Sequence, residues 1–138
     1  MPAWTMDWSA LPAPLTDFLT EYHLAMLSTL DRDGAPHLVP VGVTLDVEQQ
    51  CAWVITRRGS QKVTNIRRDP RVAVGQVDRG RWASLVGTGQ VREDEESIAR
   101  ACELYAARYR PPQPNPERVA IRITIDRVLG QAALLPES

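Results

Sequence analysis

The sequence is poor in residues that metal sites, disulfide scaffolds and membrane spans require. Its two cysteines, Cys51 and Cys102, lack a CxxC spacing, and its two histidines, His23 and His37, lack partners at metal-ligand spacing. We therefore expect free thiols in a reducing compartment and no metal site. The apolar runs end well before the ~20 residues of a membrane span, and no basic segment followed by an apolar stretch opens the chain. These absences predict a cytoplasmic protein that neither enters nor binds a membrane.

Common catalytic and nucleotide-binding motifs are missing as well. The chain has no GxSxG, no Walker loop and no GxGxxG after a strand. Its formal net charge is −1, which argues against nucleic acid as a partner. Lysine is almost absent: every cation is an arginine except Lys62. Because a lysine and an arginine bind phosphate differently, that single ammonium marks a candidate position for a specific contact.

The 138 residues suffice for one domain, and we treat residues 1–138 as a single one. We expect residues 1–13 to form an extended arm that carries Trp4 and Trp8. Apolar spacing and turn signals after the arm predict three helices and six strands. The helices are expected at 14–22, 60–68 and from Asp94 to about Tyr109, and the strands at 23–30, 35–45, 51–56, 71–77, 81–92 and 119–128.

Prolines and glycines inside these strands predict how the sheet is built. Pro36 and Pro40 cannot donate to a ladder, so the second strand needs an unpaired edge or a bulge. Gly87 and Gly89 mark bends of the kind that a closed barrel requires. Short strands joined by hairpins, with helices outside them, predict a mainly β protein: a six-stranded antiparallel barrel with peripheral helices.

One segment, residues 55–65, combines a strand end, a glycine and the start of a helix. A helix N-terminus offers unpaired N–H groups and a partial positive charge, which suits an anion. Arg57 and Ser60 would close around a phosphate from the loop, and Lys62 would add a charged donor. The alternative is a solvated basic helix with an ordinary serine cap. Further along the chain, Trp82 either lines a ligand cleft or is structural.

Three stretches of the sequence carry a resemblance to a known family. They are HLAMLSTLDRDGAPHLVPVG, VITRRGSQKVTNIRRDPRVAV and RWASLVGTGQV. Together with the connector YRPPQPNP, they resemble the pyridoxamine 5'-phosphate oxidase-like split β-barrel superfamily, of FMN-binding split-barrel type. Within it the sequence is most similar to the branch that depends on the deazaflavin coenzyme F420, and there to the F420-dependent biliverdin reductases.

The resemblance implies a homodimer with two cofactor sites at the subunit interface. The strand His37, Leu38, Val39, Pro40 and Val41 would lie along the deazaflavin ring, with its backbone on the pyrimidine-like edge. Six residues would hold the phosphate and the ribityl chain: Thr56, Arg57, Ser60, Gln61, Lys62 and Asn65. From the second subunit, Gln76, Arg81 and Trp82 would close the pocket, whose edge would also carry Arg58.

The expected reaction is hydride transfer from reduced F420 to an unsaturated acceptor, with the tetrapyrrole biliverdin reduced to bilirubin. Catalytic residues are not identified, although Arg57 or Arg81 would support an anionic substrate near the ring. Two alternatives stay open. One is an FMN-dependent oxidoreductase of the same fold. The other is a non-catalytic dimer that binds F420, FMN or haem, although His23 and His37 are the only available axial imidazoles.

Overall fold

A computed structural model describes residues 3–136 of the chain. Most of these residues belong to an antiparallel sheet, around which three α-helices pack. The strands are β1 (Ala3–Thr5), β2 (Ala25–Leu30), β3 (Pro36–Val41), β4 (Val43–Asp46), β5 (Cys51–Arg57), β6 (Arg71–Asp78), β7 (Arg81–Arg92) and β8 (Arg118–Gly130). The helices are α1 (Ala13–Thr20), α2 (Gln61–Arg68) and α3 (Glu95–Arg108), with short 3₁₀ turns at Trp8–Ala10 and Ala132–Leu134.

The sheet curls into a half-barrel. Its strands follow the order β3-β2-β6-β7-β8-β5-β4, and β1 adds to β8 outside this path. Every pairing is antiparallel. The two ends of the order, β3 and β4, are separated in the chain by one residue, so the chain passes from one edge strand to the other at Gly42. The predicted fold class, a mainly β split barrel with peripheral helices, is confirmed.

The predicted second strand, residues 35–45, is divided in two at Gly42. A Cβ at this position would lie 2.8 Å from ring atoms of both Tyr105 and Tyr109, which pack from α3 onto the bend. Only a residue without a side chain allows this approach. Pro36 and Pro40 both lie in β3, whose single partner within residues 3–136 is β2. The predicted unpaired edge is therefore confirmed.

The predicted extended arm is more structured than expected. Trp4 in β1 pairs with Val128 of β8, and a 3₁₀ turn follows at Trp8–Ala10. Trp4 and Trp8 are partly buried against the main core. With β1 and the division at Gly42, the strands described number eight instead of six. The first two residues of the arm lie outside the described range.

The core fills the inside of the curl, because alternate residues of each strand point inward. Phe18 and Leu27 are completely buried there, as are Ile121 and Ile123 of β8. The β7–β8 ladder is irregular between Val86 and Gly87, which confirms a bend at the predicted glycine. Among residues 3–136, none of the helices is both long and apolar enough to cross a membrane.

A buried ion pair fixes α3 to the edge of the sheet. Asp46, at the end of β4, is 1% exposed. It accepts two hydrogen bonds of 2.9 Å from the Arg100 guanidinium and one of 2.9 Å from Trp53 Nε1. Burial by itself raises the pKa of this carboxyl. The bonds from Arg100, the Gln49 N–H and Trp53 outweigh that effect and lower the pKa to about 2.

Candidate functional site

A groove of about 460 Å³ lies where β3, the end of β5, the start of α2 and the segment leading into β8 meet. Ten residues line it: His37, Val39, Ile55, Thr56, Arg57, Ser60, Gln61, Lys62, Asn115 and Arg118. Seven of them belong to the predicted cofactor-binding set. The structure therefore brings the β3 strand and the basic segment together, as the sequence suggested.

The first turn of α2 opens onto this groove. Strand β5 ends at Arg57, and Ser60 takes the N-cap position of α2. Within the described chain, the Ser60 side chain makes no capping bond to the helix. Its oxygen instead accepts a 3.3 Å bond from the Thr56 hydroxyl. Because the first N–H groups of a helix have no partner inside the helix, they remain available to a ligand.

Asn65 supports the groove from below rather than lining it. The residue is completely buried. Its amide nitrogen donates to Thr29 Oγ1 at 2.9 Å, and its oxygen accepts from Gln61 Nε2 at 2.8 Å. These two bonds tie α2 to β2 and hold the Gln61 side chain in place. Asn65 therefore acts through Gln61 in this structure.

The basic cluster from Arg57 to Arg71 divides into two groups. Arg58 pairs with Glu93 and Glu117, and Arg67 also pairs with Glu93. Arg58 is therefore held by carboxylates and is not among the residues that line the groove, and its contact with a ligand at the pocket edge stays a prediction.

The cations that line the groove, in contrast, lack carboxylate partners in the described chain. Within residues 3–136, no carboxylate lies within 4.0 Å of Arg57, Lys62 or Arg118. Burial, and then the nearby charge of Arg57, lower the pKa of Lys62. An anion in the groove would counter both effects, because it would pair with the ammonium and screen Arg57.

The predicted strand 37–41 presents alternate residues to two different surfaces. His37 and Val39 line the groove, whereas Val41 is buried in the core. Leu38 and Pro40 lie on the outer face, where Leu38 is 59% exposed. His37 Nδ1 is buried and finds no hydrogen-bond partner among the described residues. An unpaired buried polar atom is costly, and this nitrogen is shielded from solvent on the groove side as well.

The three residues assigned to the second subunit do not line this groove in one chain. Gln76 is buried, where it donates to the Phe18 carbonyl at 2.9 Å and accepts from Arg108 at 2.6 Å. Arg81 binds the carboxylates of Glu21 and Asp78. Trp82, at the start of β7, is half-buried and its carbonyl accepts from the Gln131 N–H. Their contact with a neighbouring subunit's ligand stays a prediction.

His23 has acidic neighbours that sequence spacing did not reveal. Ligand atoms of Glu21, His23 and Asp78 lie within 4.8 Å of one another. However, the Arg81 guanidinium donates to Glu21 at 2.7 and 2.8 Å and to Asp78 at 2.6 Å. The two carboxylates raise the pKa of Arg81, and the bonds from Arg81 and His23 lower the pKa of Glu21 to about 2. One arginine thus engages both carboxylates and offsets one of their two negative charges.

Sequence reasoning missed three lining residues, namely Ile55, Asn115 and Arg118. Ile55 belongs to the motif but was assigned no role. Asn115 lies within the proline-rich connector and Arg118 just after it, more than fifty positions after Arg57. Only the pairing of β5 with β8 brings them to the groove, where Arg57 stands opposite Arg118. From the sequence alone, only a predicted pairing of β5 with β8 would have indicated that these residues lie close to Arg57.

A curled antiparallel sheet, with peripheral helices and a basic groove at the start of one of them, is the architecture of a split β-barrel protein. Residues 11–132 match the family described as pyridoxamine 5'-phosphate oxidase. The chain belongs to this family, which confirms the resemblance found in the sequence.

Relatives within the family are close in sequence and in fold. The chain is 50% identical over 118 residues to an F420H2-dependent biliverdin reductase of Mycobacterium tuberculosis, covering 86% of each protein. A solved structure of a conserved hypothetical protein from the same organism is 27% identical, with a TM-score of 0.76 over 98% of this chain and 92% of the other. A structure described as an F420 reductase shares the fold at 20% identity, with a TM-score of 0.70 over 86% of this chain and 98% of that one.

Proposed function

We propose that this chain is an F420H2-dependent reductase that transfers a hydride to an unsaturated acceptor, with reduction of biliverdin to bilirubin as its reaction. The observation that carries the proposal is the groove with three cations, Arg57, Lys62 and Arg118, that lack carboxylate partners in the described chain. The relative at 50% identity has this activity, which supports the choice of cofactor and acceptor.

The residues of the groove fit a ligand with a phosphate. Free N–H groups of α2, the Ser60 hydroxyl and the Lys62 ammonium would hold that phosphate, while Arg57 would close over it. Gln61, held by Asn65, would contact the ribityl chain. When bound, reduced F420 supplies a hydride, and the acceptor also takes up a proton.

The protein's own task is then to bind, orient and exclude water. Val39 and Ile55 give the groove an apolar wall on which a flat ring would rest. The backbone of β3, on the edge of the sheet, has N–H and C=O groups available for the pyrimidine-like edge of the ring. Such positioning holds the donor carbon against the acceptor. We assign no proton donor among the side chains.

Titration of the purified protein with F420 and with FMN tests this proposal. Ligand fluorescence monitors both titrations. We expect micromolar or tighter binding of F420 and weak binding of FMN. We also expect reduction of biliverdin when F420H2 is supplied. The opposite preference would move the chain to the flavin-dependent members of the family and withdraw the biliverdin reaction. Binding of F420 without reduction of any acceptor would favour a carrier.

We also propose that the chain is a cytoplasmic homodimer. An apolar face supports the dimer: Met26, Leu38 and Val77 are 40%, 59% and 70% exposed. Register places all three on the outer side of β2, β3 and β6, with Pro40 opposite Met26. An exposed patch of this kind is typical of an interface. Cys51 and Cys102, both free thiols, suit a reducing compartment.

The double variant Leu38→Glu/Val77→Glu tests the dimer. We expect light scattering to give twice the chain mass for the wild type and a single chain mass for the variant, because two charges would be buried at the contact. Val47→Glu, the same kind of change at an exposed apolar residue in the turn between β4 and β5, provides the control and should remain dimeric. If the wild type is monomeric at micromolar concentration, no second subunit is present to contribute Gln76, Arg81 and Trp82 to the site, and that assignment is wrong.

A further inference from the structure

We propose that Arg118 and Arg57 form a second anion subsite in the groove, one that binds a carboxylate-bearing part of the ligand. The first subsite is the phosphate position at the start of α2. The inference rests on the proposed function for the identity of the ligand, and on the fold alone for the position of the two arginines. Arg118 was not among the residues that the sequence pointed to.

The strand register carries the inference. Arg57 and Arg118 are direct partners across the β5–β8 ladder, so their side chains leave the same face of the sheet. Like charges in directly opposite positions destabilise a sheet. In the same basic cluster, Arg58, Arg67 and Arg71 are compensated by carboxylates. Arg57 and Arg118 have no carboxylate partner in the described chain, and a bound anion would supply the missing negative charge.

The surroundings of Arg118 leave most of its donors available. Its Nη2 donates to the Gln113 carbonyl at 2.7 Å, which fixes the side chain against the connector. Asn115 accepts a 2.9 Å bond from the Glu117 N–H through its side-chain oxygen, so its amide N–H groups stay free for a ligand. Both residues line the groove. They approach it from the connector, whereas Lys62 approaches from α2.

A carboxylate suits this position better than a second phosphate contact. The free N–H groups, Ser60 and Lys62 already provide for the phosphate, so Arg57 can be shared between the phosphate and a carboxylate beside Arg118. The two guanidinium groups offer planar forks that match carboxylates. Two components of the proposed reaction carry such groups. F420 has a glutamate tail, and biliverdin has two propionates. FMN has a phosphate and no carboxylate, so it would use the first subsite only.

The variant Arg118→Gln tests the subsite in the full-length protein. It keeps the polarity and removes the charge opposite Arg57, so we expect it to fold and to unfold at the same or a slightly higher temperature. Loss of a charge-assisted, solvent-exposed contact predicts about five- to tenfold weaker binding of F420 by fluorescence titration. Binding of FMN should change by less than about twofold. Arg127→Gln, the same change on the outer part of β8, should leave both affinities at their wild-type values.

The outcomes separate the two sources of the carboxylate. Weaker F420 binding would place the glutamate tail on Arg118. Unchanged F420 binding with a raised KM for biliverdin would place a propionate there. If neither quantity changes, the subsite proposal is overturned while the proposed function stands.

Failure of the proposed function gives a different result. If the wild type does not bind F420, that function falls, and the subsite is then probed with γ-linked triglutamate alone. The Nε–H signal of Arg118, identified in NMR spectra by its loss in Arg118→Gln, should shift as millimolar triglutamate is added. An Nε–H signal that does not move would overturn the second subsite.

Discussion

Lys62→Ala is expected to weaken F420 binding about 10- to 100-fold. The ammonium is half-buried in the groove, and no carboxylate of the described chain neutralises it, so a ligand phosphate would be its partner. A hydrogen bond between charged groups contributes roughly 1.5–3 kcal/mol, which corresponds to this range. Fluorescence titration with F420 measures the change directly. FMN affinity should fall in parallel, because the phosphate subsite serves either cofactor.

Arg67→Ala is the matched control for the Lys62 variant. It removes a positive charge from the same helix, but Arg67 binds Glu93 outside the groove. An exposed pair of this kind contributes at most about 1 kcal/mol to stability, and F420 affinity should stay within about twofold of the wild type. Equal affinities for Lys62→Ala and the wild type would show that the phosphate does not lie at the start of α2. Equal losses in both variants would indicate a general effect of net charge.

Gly87→Ala is expected to cost about 3 kcal/mol or more of the free energy of unfolding. A Cβ on Gly87 would overlap the carbonyl oxygen of Thr124 and would lie 2.9 Å from its carbonyl carbon. Both are backbone atoms of β8, so relief requires a shift of the central ladder. Urea unfolding at a fixed protein concentration measures the loss. If the lost stability exceeds what the fold can tolerate, the variant will accumulate as insoluble protein.

Gly80→Ala separates this effect from the general consequences of replacing a glycine. The turn between β6 and β7 leaves open space around Gly80, with nothing in the described structure within 4 Å of the position of a Cβ. Its stability should change by less than about 1 kcal/mol. Similar losses in the two variants would mean that backbone freedom, and not the close approach to Thr124, explains the result at Gly87.

Much of the fold was predictable from the sequence, because the local patterns that indicate helices and strands agree with the elements that tertiary packing stabilises. Alternation in residues 119–128 predicted β8, and Pro70 ended α2 as expected. The break at Gly42 was not predicted. Two prolines in the segment 35–45 indicated an unpaired edge or a bulge, but only Tyr105 and Tyr109, more than sixty residues later, require the break at Gly42. Similarly, β1 exists because β8 offers it an edge, which no pattern in residues 1–13 reveals.

The candidate site was predictable where it is contiguous in the chain. Thr56, Arg57, Ser60, Gln61 and Lys62 lie within seven positions, and their motif predicted their proximity. Arg118 and Asn115 come to the groove through strand pairing, which a single sequence does not specify. The sequence also could not distinguish Arg58 from Arg57, because the difference depends on Glu93 and Glu117, whose positions follow from tertiary structure.

The place of β8 in the sheet has a consequence for biosynthesis. This strand pairs with β1, β5 and β7, yet it follows all of them in the chain. While the protein is being synthesised, β5 and β7 therefore have no strand between them, and the hairpins already made expose unpaired edges. The barrel can close only after residue 130 has left the ribosome. Folding should thus be a late, concerted event, during which nascent chains depend on protection from aggregation.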